Sequence, residues 1–206
     1  MQRRKIIQCS TGLLAIHSIA AYAIPKAVVG QKAPDFSAKD TAGKTVNLAD
    51  FKGKTVVLEW VNPGCPYVKK HYSGANMQGT QSEAAAKGVV WLAINSTEPG
   101  HPDYLAPAAL QKWMTEQKAV AMHTLMDDNG KIGQAYDART TPHMYIINPQ
   151  GLLIYAGGID SIASARVDDI KTATNYVKVG LGETLSGKPI SNATTRPYGC
   201  SVKYKS

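Results

Sequence analysis

The stretch TVVLEWVNPGCPYVKKHY, Thr55 to Tyr72, decides the fold. Its first seven residues are β-branched and apolar almost throughout. Such a run is expected of a strand buried on both faces. Asn62-Pro63-Gly64 then breaks the run with turn residues. Cys65 follows, and Pro66 after it suits the first turn of a helix. A thiol between a buried strand and a helix N-terminus lies near free backbone N–H groups and the positive end of the helix dipole. Such sites move a cysteine from its free pKa of about 8.5 into the range of about 3.5–7.5. Cys65 is therefore the candidate nucleophile, and Lys69, Lys70 and His71 are candidates to favour its thiolate further.

Working outward, strands and helices alternate. The helix after Cys65 is predicted through about Lys87, with Gly74 and Gly79 weakening its middle. Gly88–Ser96 reads as a second buried strand, and 97–107, with three prolines, as a loop. Ala108–Gln117 presents Leu110, Trp113 and Met114 on one helical face. His143–Gly158 reads as a hairpin turning at Pro149-Gln150-Gly151, and a last helix is predicted from about Ala163 to Leu185. On the upstream side, Asp40-Thr-Ala-Gly43 marks an N-terminal hairpin. The fold class is α/β, a mixed sheet flanked by helices with that hairpin added.

The ends carry their own signals. Residues 1–23 read as a secretory leader: a basic MQRRK, a short apolar run interrupted by Gln8, Ser10 and His17, and the small-x-small site Ala21-Tyr22-Ala23. The run is too short and polar for a spanning helix of about 20 apolar residues. The organisation expected is leader 1–23, domain 24–185 and a polar tail 186–206 carrying Cys200. Export to the periplasm or another extracytoplasmic space removes Cys9 and leaves Cys65 and Cys200 where a disulfide persists. Whether they meet is open at the level of sequence. The formal charge of +8 falls by three when Arg3, Arg4 and Lys5 leave with the leader. The remaining basic residues are scattered, so no nucleic-acid partner is expected.

Two further features carry chemistry. Glu59 is a charge within an apolar strand. It is either a salt-bridged or solvent-facing residue, or a buried acid that keeps its proton towards neutral pH. Thr141-Pro142 stands just before a strand, where proline is tolerated only at the first residue, and its peptide bond is open to the cis form.

Taken with GQKAPDF (Gly30–Phe36) and AGKTVNLADFKGKTVVLEW (Ala42–Trp60), these features resemble the thioredoxin-like superfamily. The branch resembled is the redoxin, or alkyl hydroperoxide reductase/thiol-specific antioxidant, family, over about Val28 to Gly180. The resemblance implies Cys65 as nucleophile, Thr141-Pro142 as the facing cis-proline loop and Glu59 as the buried acid. Val68 replaces the second cysteine of a Cys-x-x-Cys centre. Leu58 and Asn62 stand where a peroxidase signature would place proline and threonine.

Three functions follow as expectations. In a thiol–disulfide oxidoreductase, the Cys65 thiolate attacks a protein disulfide aligned by Thr141, Glu59 moves a proton, and Cys200 resolves the mixed disulfide. In a thiol peroxidase, Cys65 passes through sulfenic acid, with Asn62, Arg139 and the amides after Pro66 polarising the peroxide. In a metal-delivery protein, Cys65, His71, His143 and Cys200 take copper(I) or zinc, although Cys65 to His71 is no recognised ligand spacing. The expected partners are protein thiols and disulfides or a peroxide, with an external thiol reductant. Tyr67 is a candidate substrate contact. No resident cofactor or metal is expected.

Overall fold

The structure is a computed structural model and describes residues 26–205. The leader reading, residues 1–23, lies outside the described residues. Seven strands form one mixed sheet, in the spatial order β2 (Thr45–Asn47), β1 (Ser37–Asp40), β5 (His123–Met126), β4 (Val90–Asn95), β3 (Val56–Trp60), β7 (His143–Ile147) and β8 (Leu153–Gly157). Strand β3 (Val56–Trp60) sits near its centre, parallel to β4 (Val90–Asn95) and antiparallel to β7 (His143–Ile147). All five of its residues are buried, as its apolar run requires. Val57 and Val61 join Trp91, Tyr72, Met77 and Ile146 in one core. Leu58 and Trp60 join Leu92, Ile94 and Tyr145 in the core on the other face. Each fully buried aliphatic side chain contributes about 1.5–3 kcal/mol, so an uninterrupted strand of this kind fixes the sheet.

The N-terminal hairpin pairs β1 (Ser37–Asp40) with β2 (Thr45–Asn47), turning through Gly43 at φ +81°. It extends the sheet through β5 (His123–Met126), itself parallel to β4. β7 continues antiparallel into β8 (Leu153–Gly157). Helix α3 (Pro107–Glu116) buries Leu110 and Met114, with Trp113 half-buried. A short helix, α4 (Lys131–Ala135), follows the Asn129-Gly130 turn.

Two predicted helices are interrupted. The helix after Cys65 is two: α1 (Pro66–Ser73) and α2 (Asn76–Ala86). Ala75 takes a left-handed φ of +53°, and Gly74 packs so closely under Ile170 that a Cβ there would lie 2.6 Å from Ile170 Cδ1. The break turns at Ala75, the left-handed residue between the two helices. The last helix begins late. Val167–Lys171 is a 3-10 turn, and α5 (Tyr176–Leu185) starts only after Asn175 caps the Lys178 N–H at 3.0 Å. Asn175 also donates to Asn76 and Thr80 of α2, which sets where α5 begins.

The tail folds back along the molecule. Thr194 bridges Ala156 of β8. Cys200–Ser201 then forms β9, antiparallel to β6 (Thr140–Thr141) in a separate two-stranded ladder. Beyond it Val202 N–H donates to Arg139 O at 3.0 Å, and the Tyr204 hydroxyl to Ala138 O at 2.7 Å. Among the described residues no helix is long and apolar enough to cross a membrane.

Candidate active site

Cys65 caps α1 with extended backbone, and Pro66 opens the helix. Its position is set by Asn62, whose Oδ1 accepts the Gly64 N–H at 2.7 Å and whose carbonyl accepts the Cys65 N–H at 3.0 Å. Asn62 Nδ2 reaches Asp103 at 3.4 Å. Asn62 is thus the residue that shapes the turn.

The thiol is 2% exposed. It donates to the carbonyl oxygen of Thr141 at 3.0 Å. The Thr141–Pro142 peptide bond is cis. The Thr141 hydroxyl is buried and has no hydrogen-bond partner among the described residues. Burial opposes ionisation of Cys65. The Cys200 thiol, the Thr141 side chain and the backbone N–H groups of Cys200 and Val68 outweigh it, so the pKa falls below the ordinary thiol value.

Cys200 is the second sulfur at this place. It stands directly opposite Thr141 in the β6–β9 ladder, and both cysteines are free thiols. Burial and the facing Cys65 push its pKa up to about 11. The pair is thus asymmetric: Cys65 the better anion, Cys200 the proton-bearing donor towards it.

The other residues singled out in the sequence divide. Pro66 and Thr141-Pro142 adjoin Cys65. Tyr67 is half-buried, its ring edge-on to Tyr198 of the tail at 5.9 Å. Glu59 is fully buried, which removes the solvent-facing alternative. It accepts from the Trp91 indole at 2.8 Å, the Tyr72 hydroxyl at 2.9 Å and Gln81 at 3.0 Å. Desolvation raises its pKa from 4.5 to about 7, against those three donors. It makes no hydrogen bond to Cys65. The Arg139 guanidinium is exposed and paired with Asp137 at 2.5 Å, not turned to the buried sulfur. Its backbone, instead, receives the tail.

Lys70 and His71 do not support the thiolate as the sequence suggested. Both turn into the protein, towards Asp160 and Tyr198. His143 accepts from the Arg139 N–H at 3.3 Å and pairs with the Tyr145 hydroxyl at 3.0 Å. Among the described residues no group of three or more His, Cys, Asp or Glu side chains is arranged to hold a metal. Asp160 and Tyr198 were missed by sequence reasoning. Their only signal was a carboxylate in the glycine-rich GGIDS (Gly157–Ser161) and a tyrosine two places before a cysteine.

Residues 29–156 match the AhpC/TSA family. This chain belongs to that family. It is 28% identical over 163 residues to the thiol-disulfide oxidoreductase ResA of Bacillus subtilis, covering 75% of this chain and 86% of that one. It is 28% identical over 115 residues to the peroxiredoxin Bcp of the same organism, covering 53% and 63%. An uncharacterised conserved protein from Geobacillus kaustophilus superposes with a TM-score of 0.73 at 25% identity, over 86% of this chain and 93% of that one. The fold is thioredoxin-like, a mixed sheet flanked by helices. The AhpC/TSA chain is an oxidoreductase enzyme, and its chemistry belongs to thiols.

Proposed function

We propose that the protein is an exported thiol–disulfide oxidoreductase with Cys65 as nucleophile and Cys200 as distal resolving cysteine. The observation that supports this most is Cys200 paired directly opposite Thr141, the residue whose carbonyl oxygen accepts the Cys65 thiol. The Cys65 thiolate attacks a substrate disulfide. One substrate sulfur leaves as thiolate and the other remains in a mixed disulfide with Cys65. Cys200 then loses its proton and attacks Cys65 Sγ. A Cys65–Cys200 disulfide forms, the second substrate sulfur leaves, and two electrons have passed to the substrate. An external thiol reductant restores both cysteines. The resemblance to ResA supports protein thiols and disulfides as partners.

One observation favours the peroxidase as a second reading. The strand edge of Thr141, where a partner chain would pair, is already filled by the tail. A small oxidant needs no such edge, and Bcp is among the relatives. Cys65 would then pass through sulfenic acid and lose water as Cys200 condenses with it.

The test is a non-reduced peptide-mass map of the reduced protein after one equivalent of a protein disulfide or of hydrogen peroxide. A Cys65–Cys200 peptide formed with the disulfide supports the first reading. The same peptide formed faster with peroxide, and sulfenic acid trapped at Cys65 in Cys200→Ser, supports the second. Failure of the peptide to form with either removes Cys200 as resolver.

A further inference from the structure

Beneath the sulfur pair lies a buried polar cluster that neither reaction uses. Lys70 Nζ stands 3.3 Å from Asp160 Oδ2, 3.1 Å from the Ile162 carbonyl and 3.4 Å from the Tyr198 hydroxyl. The Lys70 and Asp160 side chains are 0% and 1% exposed. The Tyr198 hydroxyl donates to Asp160 Oδ1 and lies 3.1 Å from His71 Nε2, while His71 Nδ1 is held by Asn76 at 2.8 Å. Burial first, then Asp160, keeps the Tyr198 proton in place.

The chain path gives this cluster a purpose. Lys70 and His71 belong to α1, the helix that Cys65 caps. Tyr198 precedes Cys200 by two residues. Between them Gly199 takes φ +138° and lies so close under the Thr141 carbonyl that a Cβ would overlap it. One helix therefore holds the nucleophile at its start and the anchor of the second sulfur one turn on. A buried ion pair is a weak source of stability, because desolvation offsets attraction. Its best-attested use is to fix a register.

We propose that Tyr198 is a positioning residue. Its hydroxyl, seated in the Lys70–Asp160–His71 cluster, sets the register of β9 and so places Cys200 Sγ against Cys65. The inference rests on the reading of Cys200 as resolver. It adds that resolution depends on the effective concentration of the Cys200 thiol at Cys65, and that the cluster sets it.

The measurement is the equilibrium of the full-length protein with a glutathione redox buffer, from which the effective concentration of the two thiols is obtained. Wild type is compared with Tyr198→Phe, which removes one hydroxyl. Tyr136→Phe is the control, since it removes a buried hydroxyl that donates to Pro34 O at 2.8 Å, away from the tail. A hydrogen bond to a charged group is strong enough that Tyr198→Phe should lower the effective concentration about tenfold or more. Tenfold is about 30 mV for this two-electron couple. Tyr136→Phe should lower the melting temperature and leave the effective concentration unchanged. Asp160→Asn, which keeps the shape of the cluster, should act in the direction of Tyr198→Phe. An effective concentration within twofold of wild type in both tail variants overturns the proposal alone. Absence of any Cys65–Cys200 disulfide in wild type overturns it together with the reading beneath it.

Discussion

Glu59 shows how one residue joins a strand pattern to an ionisation. Its neighbours in sequence make the strand, and the strand buries it. Its folded pKa of about 7 lies above the ordinary value of 4.5, so the folded protein holds the proton more tightly than the unfolded chain. The stability this gives is full below about pH 4.5 and is lost as pH rises through about 7. The size is about 3 kcal/mol at 1.36 kcal/mol per pKa unit. Glu59→Gln keeps the donors Trp91 and Gln81 matched to an oxygen and cannot ionise. Measured by urea unfolding, the variant should gain on wild type by roughly that amount between pH 4.5 and 7.5. A constant difference across that window would show that Glu59 is not the titrating group. Cys65, Glu59 and Thr141-Pro142 were legible in the sequence because each breaks a local rule: a thiol at a helix start, a charge in an apolar run, a proline before a strand. Lys70 was not. A lysine in a helix reads as solvated, and only the distant Asp160 and Tyr198 turn it inward.

Among the described elements, β9 and β6 are the shortest, at two residues each. β9 runs antiparallel to the cis-proline strand β6 through only two residues. Gly199 permits the approach. Gly199→Ala should push β9 off β6, because the added methyl overlaps the Thr141 carbonyl and the φ of +138° disfavours any side chain. The expected outcome is faster alkylation of Cys65 by iodoacetamide together with slower Cys65–Cys200 disulfide formation. Alkylation at the wild-type rate would show that the tail does not shield the sulfur. The long strands were readable from run length, β-branching and the turn residues that bound them, since a run buried on both faces carries no alternation of its own. Gly74 marked a weak point in the first helix, but not the left-handed Ala75 that breaks it, and the late start of α5 was not legible because it depends on Asn175 meeting Asn76 and Thr80 across the fold. A two-residue strand has no period to read.

At the scale of the whole molecule, two histidines among the described residues are neutral because they are buried. Desolvation lowers both His71 and His143 from 6.5 to about 4, with Asp160 and Asp137 only partly opposing it. For a base whose folded pKa is depressed, stability is full above the unfolded value and is lost as pH falls through the folded one. The protein should therefore lose stability between about pH 6.5 and 4, with Glu59 offsetting part of the loss by gaining its proton there. Thermal melting across this range checks it: the midpoint should fall with pH, and fall more steeply in Glu59→Gln. A midpoint that rises on acidification would exclude the assignment. The mixed sheet and its hairpin were legible at this scale, while the closure of the tail over the site was not, because polar turn-rich sequence gives no partner.

That closure also imposes an order of events. Cys65 emerges from the ribosome long before Cys200, and the β6–β9 pairing is a contact of very large sequence separation, the kind that closes late in folding. Until it closes, Cys65 lacks both its cover and the Cys200 groups that favour its thiolate. The sulfur is thus most accessible to stray thiols and oxidants before β9 pairs with β6, and that pairing is what ends the exposure.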